Sequence, residues 1–149
     1  MTSNAINRLK LLLENIPSGL YEISEDEFAG KISPDKWSKK QILGHLIDSA
    51  ANNHQLIIRV QYENTPTIFY DQNKWNELNH YQQLEGGHII QLWTIYNRHL
   101  LEIIKRIPED RLLRECNCGG EKNVTLQFLI DDYVVHLEHH LKQIRNYKI

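Results

Sequence analysis

The chain has 149 residues, 41% of them hydrophobic, which suits one domain with a sizeable apolar core. Its 17 basic and 19 acidic residues are interspersed and give a formal net charge of -2, leaving no electrostatic footprint for nucleic acid. No apolar run approaches the ~20 residues needed to cross a bilayer. Met1-Thr2-Ser3-Asn4 runs straight into an amphipathic stretch without a basic and apolar leader, so a cytoplasmic protein with no membrane partner is expected.

In chain order, Ile6, Leu9, Leu13 and Ile16 carry a helical apolar spacing, which Pro17-Ser18-Gly19 is expected to end. Ser24 to Phe28 reads as a short helix opened by a capping box, with Ser24 as N-cap and Glu27 three residues on. After the loop from Ser33, a second box, Ser38 with Gln41, opens a long helix predicted over Lys39 to Glu63. Trp37, just ahead of that cap, reads as a packing staple. Ile42, Leu46, Ala50, Ile57 and Val60 form the buried stripe of the long helix, and His45, Ser49, Asn52 and Arg59 share its flank.

Pro66 breaks the helix. Asp71 then caps a short helix carrying Trp75 and Leu78, a segment that could be a lid or a core cover. A third long helix starts at Gly86-Gly87, with a broad apolar face from Ile89, Ile90, Trp93, Tyr96, Leu100, Ile103 and Ile104, and ends at Pro108. His80, His88 and His99 read as surface residues. Arg114 to Lys122 reads as a glycine-containing loop, and Thr125 as the N-cap of the last helix. Cys116 and Cys118 are separated by one residue, too few for a Cys-x-x-Cys knuckle or redox motif, and read as free thiols outside any site.

The last helix carries the most chemistry. Leu126, Ile130, Val134, Leu137, Leu141 and Ile144 make one apolar stripe, and His136 and His140 sit on its border, one turn apart with their rings on the same side. Two neutral imidazoles so arranged can bind one divalent ion. No Glu stands between them as a zinc protease requires. His45 repeats the geometry at the border of the second long helix. If the two helices pack together, three neutral imidazoles surround one ion and leave positions open for water or substrate. Three or four long helices joined by short pieces make an all-α, antiparallel helical bundle the expected fold, with the ion between facing helices.

The run from Trp37 and Ser38 to His45, Leu46 and Asp48 resembles the Trp-Ser…His-Leu-x-Asp signature of the DinB-like superfamily. The run from His136 through His139, His140, Gln143 and Ile144 resembles its closing His-x-x-His-His-x-x-Gln-Ile segment. Tyr70, Asp71 and Trp75 resemble the Tyr-Asp-x-x-x-Trp element of the YfiT-like branch, whose members are metal-dependent hydrolases related to bacillithiol S-transferases. The likeness runs from about Trp37 to Ile144. It implies one DinB-like domain over residues 1–149, folded as a four-helix bundle and commonly a homodimer. Its metal ligands would be His45, His136 and His140, with zinc or nickel as the ion.

The function expected from these features is activation of a low-molecular-weight thiol for transfer to an electrophile, or of water for hydrolysis. Ser49, Asn52 and Arg59 are candidates to orient the substrate or leaving group. Asp48 or Asp132 could hold a ligand's second nitrogen. The alternative is a non-catalytic metal-binding bundle dimer. It would lack a substrate pocket beside the ion.

Overall fold

The computed structural model describes residues 2–147. Four long helices, α1 (Thr2–Tyr21), α3 (Lys39–Arg59), α5 (Gly86–Ile104) and α6 (Leu126–Ile144), form a four-helix bundle. Two short ones, α2 (Glu25–Ala29) and α4 (Gln72–Leu78), lie in the connections. Around the bundle the order is α1, α5, α3, α6, so α1 faces α3 and α5 faces α6 across diagonals.

Polar ties between helix ends fix the directions. Lys40 of α3 and the Gly86 amide of α5 both meet the Glu25 carboxylate, so these two helices start at the same end. Arg145 donates to the Gly19 carbonyl at 2.6 Å, which brings the ends of α1 and α6 together. Helices α3 and α5 therefore run one way and α1 and α6 the other. The adjacent pairs α3/α6 and α1/α5 are antiparallel. Parallel neighbours need a crossover, and the segment from Val60 to Glu85 supplies it, carrying α4 and a 3-10 turn at Tyr81–Gln83.

Local chemistry sets most boundaries. The Ser38 side chain accepts from the Gln41 amide while the Gln41 side chain accepts from the Ser38 amide, completing the expected box. Asp71 accepts from the amides of Asn73 and Lys74, both at 3.0 Å, and Thr125 accepts from the Phe128 amide. At α2 only half the box forms: Ser24 accepts from Glu27, whose carboxylate goes to Lys39 instead, at 2.6 Å.

Four boundaries differ from expectation. Helix α5 stops at Ile104, ahead of Pro108. Helix α1 continues through Pro17-Ser18-Gly19 to Tyr21. Pro17 forfeits one hydrogen bond, but buried Ile16 and Leu20 and the Arg145 contact hold the last turn. Helix α3 stops at Arg59, short of Glu63. Its freed carbonyls at Val60 and Glu63 accept from the Arg114 guanidinium at 2.6 and 2.8 Å, and Thr65 takes a positive φ of 45° before Pro66. The loop expected over Arg114 to Lys122 contains Glu115–Cys116, β1, which pairs antiparallel with Val124–Thr125, β2. Two-residue strands are too short to show alternation.

The core is continuous. All six residues of the α6 stripe are buried, and they meet Leu43, Leu46, Ala50 and Ile57 of α3, Leu9 and Leu12 of α1, and Trp93 of α5. Full burial of each such aliphatic side chain stabilises the fold by roughly 1.5–3 kcal/mol. Glu138, on the far side of α6, pairs with Arg8. Among the described residues, no helix is long and apolar enough to cross a membrane.

Candidate metal centre

Antiparallel packing of α3 on α6 brings the start of one against the end of the other, and this is where the three histidines meet. One nitrogen from each of His45, His136 and His140 lies within 4.8 Å of the others. The Nε2 atoms of His45 and His136 stand 3.1 Å apart. Ring centroids are 4.6–5.0 Å apart in all three pairs, with the rings edge-on to one another.

His45 is 3% exposed, while His136 and His140 are half-buried. Burial first, and then the neighbouring imidazoles, push His45 down to about 4 and His136 down to about 3. Both are therefore neutral at pH 7 and offer lone pairs rather than repelling a cation. Around a tetrahedral ion with nitrogens at roughly 2.0–2.1 Å, ligand nitrogens stand about 3.3 Å apart. The His45–His136 pair, at 3.1 Å, already stands near that spacing.

The supporting contacts bear on the fit. His140 Nδ1 lies 2.8 Å from Gln143 Oε1, an oxygen that can only accept, so Nδ1 carries the proton and the Nε2 lone pair is free. The Gln143 amide nitrogen in turn donates to His139 Nε2 at 3.3 Å. His45 Nδ1 and His136 Nδ1 are buried without a partner. With Nδ1 protonated, both rings direct bare Nε2 atoms at one point, an arrangement that a cation relieves. The donor set fits a divalent ion with imidazole preference.

The other sequence candidates divide. Ser49 and Asn52 lie one and two turns beyond His45 on the same face, 4% and 9% exposed. Tyr70, from the crossover, sits beside Ser49 and Asp48, and burial pushes its phenol up to about 12. Arg59 is 14 residues from His45, about 21 Å along the axis. Its guanidinium is held by Glu63 at 2.9 Å, so it lies apart from the three imidazoles. Neither aspartate holds a histidine nitrogen. Asp48 Oδ1 accepts from the Tyr81 hydroxyl at 2.7 Å and from Asn79 at 2.9 Å, and burial pushes its carboxyl up to about 6. Asp132 is exposed.

Two residues named in the sequence reading take roles at the histidines that it did not assign. Trp37 packs its ring 5.1 Å from that of His45, so the staple ahead of α3 also covers a candidate ligand. Gln143 stands three residues after His140, a spacing that helical geometry pairs, and that signal was available in the sequence.

A cleft of about 500 Å³ opens beside this face of α3. Asn52, Leu56, Ile68, Phe69, Tyr70 and Cys118 line it. Tyr70, Asp71 and Gln72 form one wall, and the Tyr70 ring packs 5.4 Å from that of Trp75, which is 38% exposed.

A four-helix bundle with three imidazoles converging between two antiparallel helices belongs to the class of bundles that can hold an ion between facing helices. The chain belongs to the DinB superfamily, whose family pattern matches residues 2–144. Its fold is similar to that of YfiT from Bacillus subtilis, described as a probable metal-dependent hydrolase with an unusual four-helix bundle topology. The TM-score is 0.86 at 19% identity, over 96% of this chain and 83% of that one. A mycothiol-dependent maleylpyruvate isomerase is similar with a TM-score of 0.78 at 13% identity, over 97% of this chain. A histidine-to-alanine variant of such an isomerase gives 0.79 at 12%, over 99%. The chain spans only 60% and 62% of those two isomerase chains. No curated protein matches it.

Proposed function

We propose that this chain is a metal-dependent enzyme in which His45, His136 and His140 hold one divalent cation, zinc or nickel. The reaction is transfer of a low-molecular-weight thiol to an electrophile, with hydrolysis by activated water as the variant chemistry. The convergence of three nitrogens from helices far apart in sequence carries this reading. A divalent ion supplies positive charge that lowers the pKa of a thiol or a water molecule brought to it.

The protein's own residues do the rest. His45 and His136 stay neutral at working pH and present lone pairs. Gln143 holds the His140 ring in one tautomer. Trp37 covers one side of His45 and limits water there. Asn52 lines the cleft and can orient a substrate's polar atoms, while Leu56, Ile68 and Phe69 take its apolar part. The likeness in fold to a probable metal-dependent hydrolase favours the catalytic reading over the non-catalytic bundle.

The same reading takes residues 1–149 as one cytoplasmic domain acting on a small molecule and assembling as a homodimer. Leu92 and Ile95, 37% and 58% exposed along α5, offer apolar surface to a second copy. The test uses metal-loaded protein, a low-molecular-weight thiol and a chromogenic electrophile. The parent should accelerate thiol consumption, and His136→Ala should return it to the uncatalysed rate. Omitting the thiol separates hydrolysis from transfer. Equal turnover by parent and variant would remove the enzymatic reading.

A further inference from the structure

The two cysteines stand outside the histidine cluster, and the structure gives them different surroundings. Cys116 lies on β1 and is 0% exposed, with its thiol 3.6 Å from the Val124 carbonyl. Cys118 is exposed and forms part of the wall of the 500 Å³ cleft, among Asn52, Phe69 and Tyr70.

The turn bearing Cys118 is held firmly. The Asn117 amide donates to the Pro66 carbonyl and its carbonyl accepts from the Ile68 amide, both at 2.9 Å. The Asn117 side chain accepts from the Gly119 amide at 2.7 Å, and Gly119 has φ +89° with Phe69 packed against it. A Cβ on Gly119 would come within 2.6 Å of the Phe69 ring.

The cleft also presents one side-chain oxygen that no protein group engages. Asn52 is nine-tenths buried and lines the cleft, and its amide nitrogen donates to the Asp48 carbonyl at 2.9 Å. Its amide oxygen accepts no hydrogen bond from the described residues. A thiol on one wall and an amide acceptor on another, with Leu56, Ile68 and Phe69 between them, suit a small disulfide that carries N–H or hydroxyl groups.

We propose that Cys118 is a thiol–disulfide exchange site, at which a low-molecular-weight disulfide enters the cleft and leaves one half bound to the Cys118 sulfur. The Cys118 thiolate attacks one sulfur of the disulfide. A bond forms between the Cys118 sulfur and that atom as the disulfide bond breaks, and the departing thiolate takes up a proton. The disulfide is the only oxidant needed. The bound half then fills the cleft beside Asn52 and Tyr70 until a free thiol reverses the exchange.

The buried Cys116 thiol assists. Its nearby sulfur draws Cys118 down to about 7, against the opposing effects of burial and then of Asp132. At neutral pH a larger share of Cys118 is then thiolate, partly offset by lower intrinsic nucleophilicity.

The test uses the full-length metal-loaded protein with glutathione disulfide as the probe, read by intact mass and peptide mapping. The parent and Cys116→Ser should each gain one glutathionyl group, mapped to Cys118, and Cys118→Ser none. The parent should react about threefold faster at pH 7 than a free peptide covering residues 117–122, which holds Cys118 alone. An adduct absent from Cys118, or a rate no faster than that of the peptide, would overturn the proposal. Because the readout is mass, the outcome stands whether or not the histidine site proves catalytic.

Discussion

Gly44 lies on α3 next to His45, with the Tyr81 ring packed directly on its Cα. A Cβ placed there would stand 2.2 and 2.3 Å from two carbons of that ring. Ordinary contact needs more than 3.4 Å, so Gly44→Ala forces Tyr81 outward by about 1 Å or more. Tyr81 is 4% exposed and donates its hydroxyl to buried Asp48, so the shift also breaks a hydrogen bond to a charged acceptor. Overpacking costs about 1–3 kcal/mol and the lost bond about 1.5–3 kcal/mol. The gain in helix propensity from Gly to Ala returns about 1 kcal/mol. The net expectation is a loss of about 2–4 kcal/mol, read by urea unfolding of the metal-free protein. Because Tyr81 pins the crossover to α3 beside His45, metal affinity should fall as well. A Gly44→Ala protein as stable as the parent would refute the claim that this contact fixes the crossover.

Gln143→Leu should weaken metal binding by about 10- to 100-fold through loss of the His140 tautomer, and Gln143→Glu should restore it. Chelator competition measures both, and unchanged affinity in Gln143→Leu would remove Gln143 from the site. Asp48 adds a pH dependence to the metal-free protein. Its folded pKa of about 6 lies above the unfolded value, so its stabilising contribution is complete only below about 3 and is lost as pH rises through 6. The parent should lose about 2 kcal/mol relative to Asp48→Asn between pH 4 and pH 8. A stability difference between the two that does not vary with pH would count against this account of Asp48.

Much of this architecture was legible in the sequence because it is local. The caps at Ser38, Asp71 and Thr125 each depend on side chains within three residues, and the α6 stripe follows the helical repeat from Leu126 to Ile144 without a miss. His136 and His140 follow from the same repeat. What the sequence withheld depends on how distant segments meet. Trp37 over His45 and Tyr81 on Gly44 arise from connections whose paths no periodicity encodes. Pro17 misled because tertiary contacts at Ile16, Leu20 and Arg145 outweigh one missing hydrogen bond. Arg59 shares a helix face with His45, but distance along the axis and the pull of Glu63 separate them. Cys118 looked like an idle loop thiol until the crossover brought Phe69 and Tyr70 against it.

The most direct test is the metal content of protein purified without a histidine tag, set beside His45→Ala, His136→Ala and His140→Ala. The parent should retain about one equivalent of a divalent ion per chain after dialysis, and each variant should lose it while keeping its helical spectrum. Parent protein that holds no ion above background, or variants that hold as much as the parent, would contradict a shared three-imidazole site.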